Sequence, residues 1–174
     1  MTNDALSSSL QFQNTIKPLI ITKNTEAFIP FIEKVFGAQE VNKVGRTVDD
    51  DGLLLHSEFE IGNATVIVID SKDGWIFTPS FLWVFVKDVE STLQIAKGLG
   101  ASIITKPTAF YGDIFSRIQD PWNNLWWVYE YGEGTNWDDE ESNDESWSTE
   151  PDQTVLNNLN YIYATLMKAM KGLA

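Results

Sequence analysis

Phe36-Gly37-Ala38 is answered further along the chain by Leu99-Gly100-Ala101, and the same order of features recurs around each triplet. From 16 to 72, and again from 79 to 132, an apolar run leads into a helix-like stretch, a Gly-Ala pair and three more strand-like runs. Ile20-Ile21-Thr22-Lys23 corresponds, more loosely, to Phe85-Val86-Lys87. Two tandem βαβββ units are implied, an α+β architecture in which strongly curved four-stranded units pack edge to edge as a mixed sheet around a shared cleft. Small ligands bind in clefts of this kind, so the architecture points to small-molecule work before any single residue does.

Outside the repeat, residues 1–15 form a polar segment, 133–152 an acidic linker and 153–174 an amphipathic helix. The net charge of −13 is concentrated in the linker, where Glu133, Asp138, Asp139, Glu140, Glu141, Asp144, Glu145, Glu150 and Asp152 stand without a basic residue. Self-repulsion keeps such a block extended and solvated, although Trp137 and Trp147 suggest that it is pinned to a surface at two points. No basic face is available to neutralise phosphates, which argues against nucleic acid as a partner. The apolar runs are too short to span a bilayer, and the first residues lack the pattern of a secretory leader, so the expected location is cytoplasmic, with no membrane partner. Absence of cysteine removes disulfides, thiolate nucleophiles and thiolate metal sites together.

In the first unit, 16–22 reads as a strand and 25–36 as a helix that Pro30 should force to begin near Ala27 or to bend. Glu40–Thr47 reads as a second strand, and Leu53–Ile61 with Ala64–Asp70 as a hairpin about Gly62-Asn63. In the second unit the strands fall near 81–87, 102–106, 113–119 and 124–131, with a helix over 89–99. Val155, Leu159, Ile162, Leu166, Met170 and Leu173 make one apolar stripe on the last helix, capped by Asp152, which should bury these side chains on the domain or on a second subunit.

Pro18-Leu19-Ile20-Ile21-Thr22-Lys23-Asn24, Phe36-Gly37-Ala38, His56-Ser57-Glu58-Phe59-Glu60-Ile61-Gly62-Asn63, Phe110-Tyr111-Gly112-Asp113 and Asp120-Pro121-Trp122-Asn123-Asn124-Leu125-Trp126-Trp127 resemble the PhnB-like branch of the vicinal oxygen chelate superfamily. That superfamily contains glyoxalases, fosfomycin and bleomycin resistance proteins and extradiol dioxygenases. The resemblance covers about residues 16–132, and Asn123 departs from it by replacing a usual glycine. It implies a glyoxalase-like fold, and it carries the superfamily's four metal-ligand positions onto Lys17, Ile67, Phe81 and Trp127. None offers a suitable donor, since a lysine amine is normally protonated and the others have no lone pair to give. No metal and no other cofactor is therefore expected. The resemblance also implies a homodimer.

Strand parity defines the cleft wall. Across a two-residue turn at Gly62-Asn63, Ile61 pairs with Ala64, Glu60 with Thr65, Glu58 with Ile67 and His56 with Ile69. If Ile67 faces the cleft, so do His56, Glu58 and Glu60, and the same alternation turns Leu19, Ile21, Phe81, Trp83, Phe85, Trp127 and Tyr129 inward, with Lys17 at one end. The candidate ligand-binding residues are thus Lys17, Phe81, Trp83, Phe85, Trp127 and Tyr129, and the candidate acid/base pair is His56 and Glu58. Two functions remain open on the sequence. One is a metal-free protein that binds a flat or apolar molecule in an aromatic slot, its polar end met by Lys17 or His56. The other is a glyoxalase-like lyase or isomerase in which His56 or Glu58 moves a proton, with or without a weakly held divalent ion.

Overall fold

The structure is a computed structural model that describes residues 16–41, 45–132 and 151–173. The polar N-terminal segment and the body of the acidic linker, with Trp137 and Trp147, lie outside the described residues. The first unit comprises β1 (Leu19–Thr22), α1 (Thr25–Phe36), β2 (Gln39–Glu40), β3 (Thr47–Val48), β4 (Leu54–Ile61) and β5 (Ala64–Asp70). The second comprises β6 (Phe81–Phe85), α2 (Val89–Gly98), β7 (Ser102–Phe110), β8 (Asp113–Gln119) and β9 (Leu125–Glu130), and α3 (Gln153–Lys171) follows. Strand order is β1-β5-β4-β2 in one sheet, with β3 also on β4, and β6-β9-β8-β7 in the other. In each unit the first and last strands run parallel and the rest antiparallel, so the repeat read from the sequence is a repeat of topology.

Asp70, at the end of β5, holds the first unit together at its buried corner. Its carboxylate accepts from the Thr25 amide at 2.9 Å, the Thr25 hydroxyl at 2.7 Å and the Leu54 amide at 2.8 Å. Asn24, in the left-handed region at φ 57°, adds its side-chain oxygen to the Ala27 amide. This double anchor starts α1 at Thr25, the first residue of the helix read from the sequence, so Pro30 does not delay the start to Ala27 and sits inside the helix. The cost of its missing N–H is offset by burial of Phe28, Ile29, Phe31, Ile32 and Val35.

The hairpin between β4 and β5 has the expected register, from Ile61↔Ala64 to Glu58↔Ile67, with Gly62 at φ 61° in the first central position. Pairing with β5 reaches only Ser57↔Val68, and His56 lies instead opposite Thr47 of β3. The expected strand over 40–47 is two short strands, each on β4, and the pairing between β3 and β4 is itself irregular. Strand β7 runs four residues beyond its expected end. It is the edge strand, where Pro107 leaves no ladder partner unsatisfied, and its register shifts on either side of Thr105 absorb the irregularity.

One core serves both units. Ile20, Val66, Val68 and Phe59 face α1, Val84, Ile118, Trp126 and Val128 face α2, and these groups join in a single buried cluster. Trp122 sits edge-on to Phe28 and Phe31 at 5.2 and 5.7 Å, and Phe36 lies 4.5 Å from Trp126, so α1 reaches the helix side of the second sheet. The units therefore meet through their helix sides, and the opposite face of each sheet is its distal face. Helix α3 rests on β7 at the distal face of the second sheet, fixed by Thr165 Oγ1 to Thr105 Oγ1 at 2.7 Å, Tyr161 Oη to the Lys106 amide at 3.0 Å and Asn158 Nδ2 to the Ala109 carbonyl at 2.9 Å. Asp152 caps it as expected, accepting from the Val155 amide. No α3 side chain is fully buried, contrary to the burial expected of its stripe, because the helix lies along an edge strand with one side against the sheet and the other in solvent. Among the described residues no helix is long and apolar enough to cross a membrane.

Candidate functional site

Alternation along β4 puts His56 and Glu58 on the distal face of the first sheet, and Lys17, just before β1, reaches Glu58 there. Glu58 bridges the other two: its Oε2 accepts from Lys17 Nζ at 2.8 Å and its Oε1 lies 3.5 Å from His56 Nε2. All three side chains are partly solvated, so the pairings orient the groups more than they stabilise the fold, by about 0–1 kcal/mol each. Lys17, expected to meet an anionic ligand, already has its counter-ion.

The other candidates gather on the distal face of the second sheet. Trp83 pairs in register with Trp127 and Phe85 with Tyr129, one face of the parallel β6–β9 ladder. Phe81 meets Trp127 edge-on at 6.1 Å, Trp83 and Phe85 lie 5.2 and 5.7 Å from Tyr129, and Phe85 stacks flat on Tyr131 at 4.7 Å. Such ring pairs supply rigid apolar area at little entropic cost. Toward β6 this surface is open, with Trp83 60% exposed, whereas toward β7 it is roofed by α3. No hydrogen bond, ion pair or ring contact among the described residues joins the aromatic group to the Lys17–Glu58–His56 group.

Under α3 lies a cavity of about 140 Å³ lined by Trp83, Phe110, Phe115, Arg117, Trp127, Tyr129 and Ile162. A larger one, about 330 Å³, follows the seam between the units, where Gly62–Ala64 faces Leu82–Phe85. Another of about 350 Å³ lies beneath the connecting segment at Trp75–Thr78. Burial, and then the negative charge of Asp113, pushes the Tyr129 phenol up to about 12. A phenol raised above its ordinary 10.0 favours the neutral folded state, a contribution present below pH 10 and lost as the pH rises toward 12. Alkaline spectrophotometric titration is expected to show one late-ionising tyrosine, and Tyr129→Phe to remove that step.

On the sequence Arg117 shares a strand face with Asp113 four residues away, which suggests an ion pair or a turn-stabilising role rather than a place in the site, and α3 is not foreseen as part of the wall. Arg117 lies opposite Trp127 in the β8–β9 ladder and therefore shares the aromatic face. That alternation was the signal available in the sequence. It donates to Thr105 and to the Ile162 carbonyl, while Asp113, four residues away on the same strand, accepts from the Gly132 amide.

The four positions carried over as metal ligands do not supply a ligand set. Lys17 is ion-paired, Ile67 has no donor atom, and Phe81 and Trp127 present rings to one another. Among the described residues no three His, Cys, Asp or Glu side chains converge as metal ligands.

A model of the Glyoxalase/Bleomycin resistance protein/Dioxygenase superfamily matches residues 14–128. The chain belongs to that superfamily, as the two βαβββ units indicate. Similar solved structures include TioX from Micromonospora sp. ML1, 16% identical with a TM-score of 0.53 over 71% of this chain and 100% of that one. The fosfomycin resistance protein FosX from Listeria monocytogenes, solved with Mn(II) and sulfate ion, is 16% identical with a TM-score of 0.53 over 67% of this chain and 91% of its own. The PhnB protein from Bacillus cereus is likewise 16% identical at 0.53, over 67% and 99%. At these identities the likeness is one of fold. No curated protein matches the chain.

Proposed function

We propose that this protein is a metal-free small-molecule binder of the PhnB-like branch, cytoplasmic and homodimeric, which holds a flat or apolar ligand against the aromatic distal face of its second sheet. One observation carries the reading: Phe81, Trp83, Phe85, Trp127 and Tyr129 make a continuous ring surface on the face turned away from the core, where the fold itself has no use for it. Intrinsic tryptophan fluorescence should respond to a panel of aromatic ligands, and Trp127→Ala should abolish the response. A panel without effect on the wild type overturns the reading.

Metal-free binding is supported by the side chains at the four carried-over positions. Elemental analysis of protein purified without affinity-tag metal is expected to find no stoichiometric zinc, nickel, iron or manganese. One equivalent per chain overturns this part of the reading.

A second reading, a lyase or isomerase, rests on the geometry of the Lys17–Glu58–His56 group. Glu58 Oε1 lies 3.5 Å from His56 Nε2 while Lys17 occupies the other oxygen, which puts a carboxylate beside an imidazole where proton transfer could be arranged. Turnover that disappears in both His56→Gln and Glu58→Gln, with ligand binding retained, would establish it over simple binding.

A further inference from the structure

Among the described residues Arg117 is the one buried cation of the distal face, and its described surroundings do not account for its charge. Its side chain is only 1% exposed. Nη1 donates to Thr105 Oγ1 at 2.9 Å and to the Ile162 carbonyl at 3.3 Å. Nε has no hydrogen-bond partner, and among the described residues no carboxylate lies within ion-pair distance. A guanidinium taken out of water without a counter-ion is costly, because neutral dipoles replace only part of its hydration. Two rings soften that cost, Trp127 at 4.5 Å and Phe115 at 5.0 Å from the guanidinium carbon, but rings satisfy no N–H. The desolvation is large enough to bring the group down to about 10 from its ordinary value.

The rest of the pocket is arranged around this cation. Arg117 donates to the Thr105 hydroxyl, which is thereby free to donate to Thr165 on α3, whose own hydroxyl lies within reach of the Tyr161 and Ile162 carbonyls. This relay sets the register of α3 on the sheet and places Ile162 over the cavity. The recess that remains, about 140 Å³ and open on the side of the exposed Trp83, has room for a single aromatic ring. Trp83, Phe110, Phe115, Trp127 and Tyr129 offer ring faces and edges to its contents, and among the described residues Arg117 is its only charged lining residue.

We infer that the chamber between α3 and β8–β9 is an anion-recognition pocket for a single-ring aromatic carboxylate, with Arg117 holding the carboxylate and α3 as its roof. The inference rests on the small-molecule-binding reading and deepens it by fixing the charge and size of the ligand. Charge comes from the unpartnered guanidinium edge and size from the roofed volume. Lys17, the other cation among the candidates, is excluded from this role by Glu58. The net charge of −13 means that long-range attraction does not bring an anion here, so discrimination resides in the buried contact.

Calorimetry with benzoate and its neutral isostere benzamide tests the pocket on the full chain. Benzoate is expected to bind about tenfold or more tightly than benzamide, the size of a charge-assisted contact. Arg117→Met should erase that preference, so that benzoate and benzamide bind alike, and raise the melting temperature, because an uncompensated buried charge has gone. An arginine with only a structural role would instead lower the melting temperature on substitution. Ile162→Trp, which fills the chamber from the roof while leaving Arg117 in the sequence, should weaken benzoate binding about tenfold and guards against misfolding of the first variant. Equal binding of benzoate and benzamide, or benzoate binding that survives Ile162→Trp unchanged, overturns the inference. If the neutral aromatic panel still binds in that event, the broader reading stands without it. If nothing binds, both fall.

Discussion

Replacing Asp120 by alanine is expected to lower the unfolding free energy by about 3–5 kcal/mol, the range for leaving several buried donors without an acceptor. The Asp120 carboxylate is 3% exposed and takes four hydrogen bonds at 2.9 Å, from the amides of Trp122 and Asn124, the Asn124 side chain and the Trp126 indole. Burial pushes its carboxyl above the ordinary range against the pull of these donors. The linked contribution is therefore fully present below the ordinary aspartate pKa and is lost as the pH rises through the folded value. The loss in Asp120→Ala should still be seen at neutral pH, because the donors remain buried whatever the charge. This turn precedes β9, and Asn123 at φ 69° closes it. The variant should thus also disturb Trp126 in the core, with a reduced near-ultraviolet circular dichroism signal. Denaturant unfolding that shows a loss of less than about 1 kcal/mol, within reach of a single neutral hydrogen bond, contradicts this account.

The sequence carried the repeat and the strand faces because both depend on local period. Gly62-Asn63 set the hairpin, and the alternation from Glu58 to Ile67 followed from it. Asn123 adopts the positive φ that its place in the turn demanded. Features decided by distant partners were not legible. That Pro30 would not delay or break α1 depends on the anchoring of its first residue by Asp70, which lies in the last strand of the unit. The extension of β7 past Pro107 depends on its being an edge. Phe81-Leu82-Trp83-Val84-Phe85 is apolar on both faces, so its pattern alone does not assign them, and the expectation that Phe81, Trp83 and Phe85 share the cleft face came from parity with the carried-over positions. In the structure Leu82 and Val84 go to the core, and Phe81, Trp83 and Phe85 stay half-exposed. Arg117 was visible on the aromatic face by parity, but its lack of a counter-ion is a property of three strands and a helix together.

Removal of residues 153–174 is expected to produce the largest change in surface chemistry available without touching either sheet. Helix α3 contributes half-buried Val155, Leu159, Ile162 and Leu166 against β7, and the apolar gain, about 1 kcal/mol for each, is largely offset by the cost of ordering the helix. The melting stability should therefore fall by only about 1–3 kcal/mol. What it uncovers is a far larger effect: Arg117 loses the Ile162 carbonyl and gains water, and Phe110, Phe115, Trp127 and Tyr129 lose their roof while Phe81, Trp83 and Phe85 are already open. Anilinonaphthalene sulfonate, a bulky aromatic anion, is too large for the roofed chamber and should bind the truncated chain with severalfold brighter fluorescence. Tyr163, Met167 and Met170 leave an apolar outer side on α3 itself, the surface on which the proposed homodimer would pair, and light scattering of the intact chain at high concentration is expected to report a dimer. Truncation removes that side while opening the sheet beneath it, so the shortened chain should associate less specifically and aggregate at lower concentration. An unchanged melting temperature together with unchanged dye fluorescence would mean that α3 does not lie on β7 in solution.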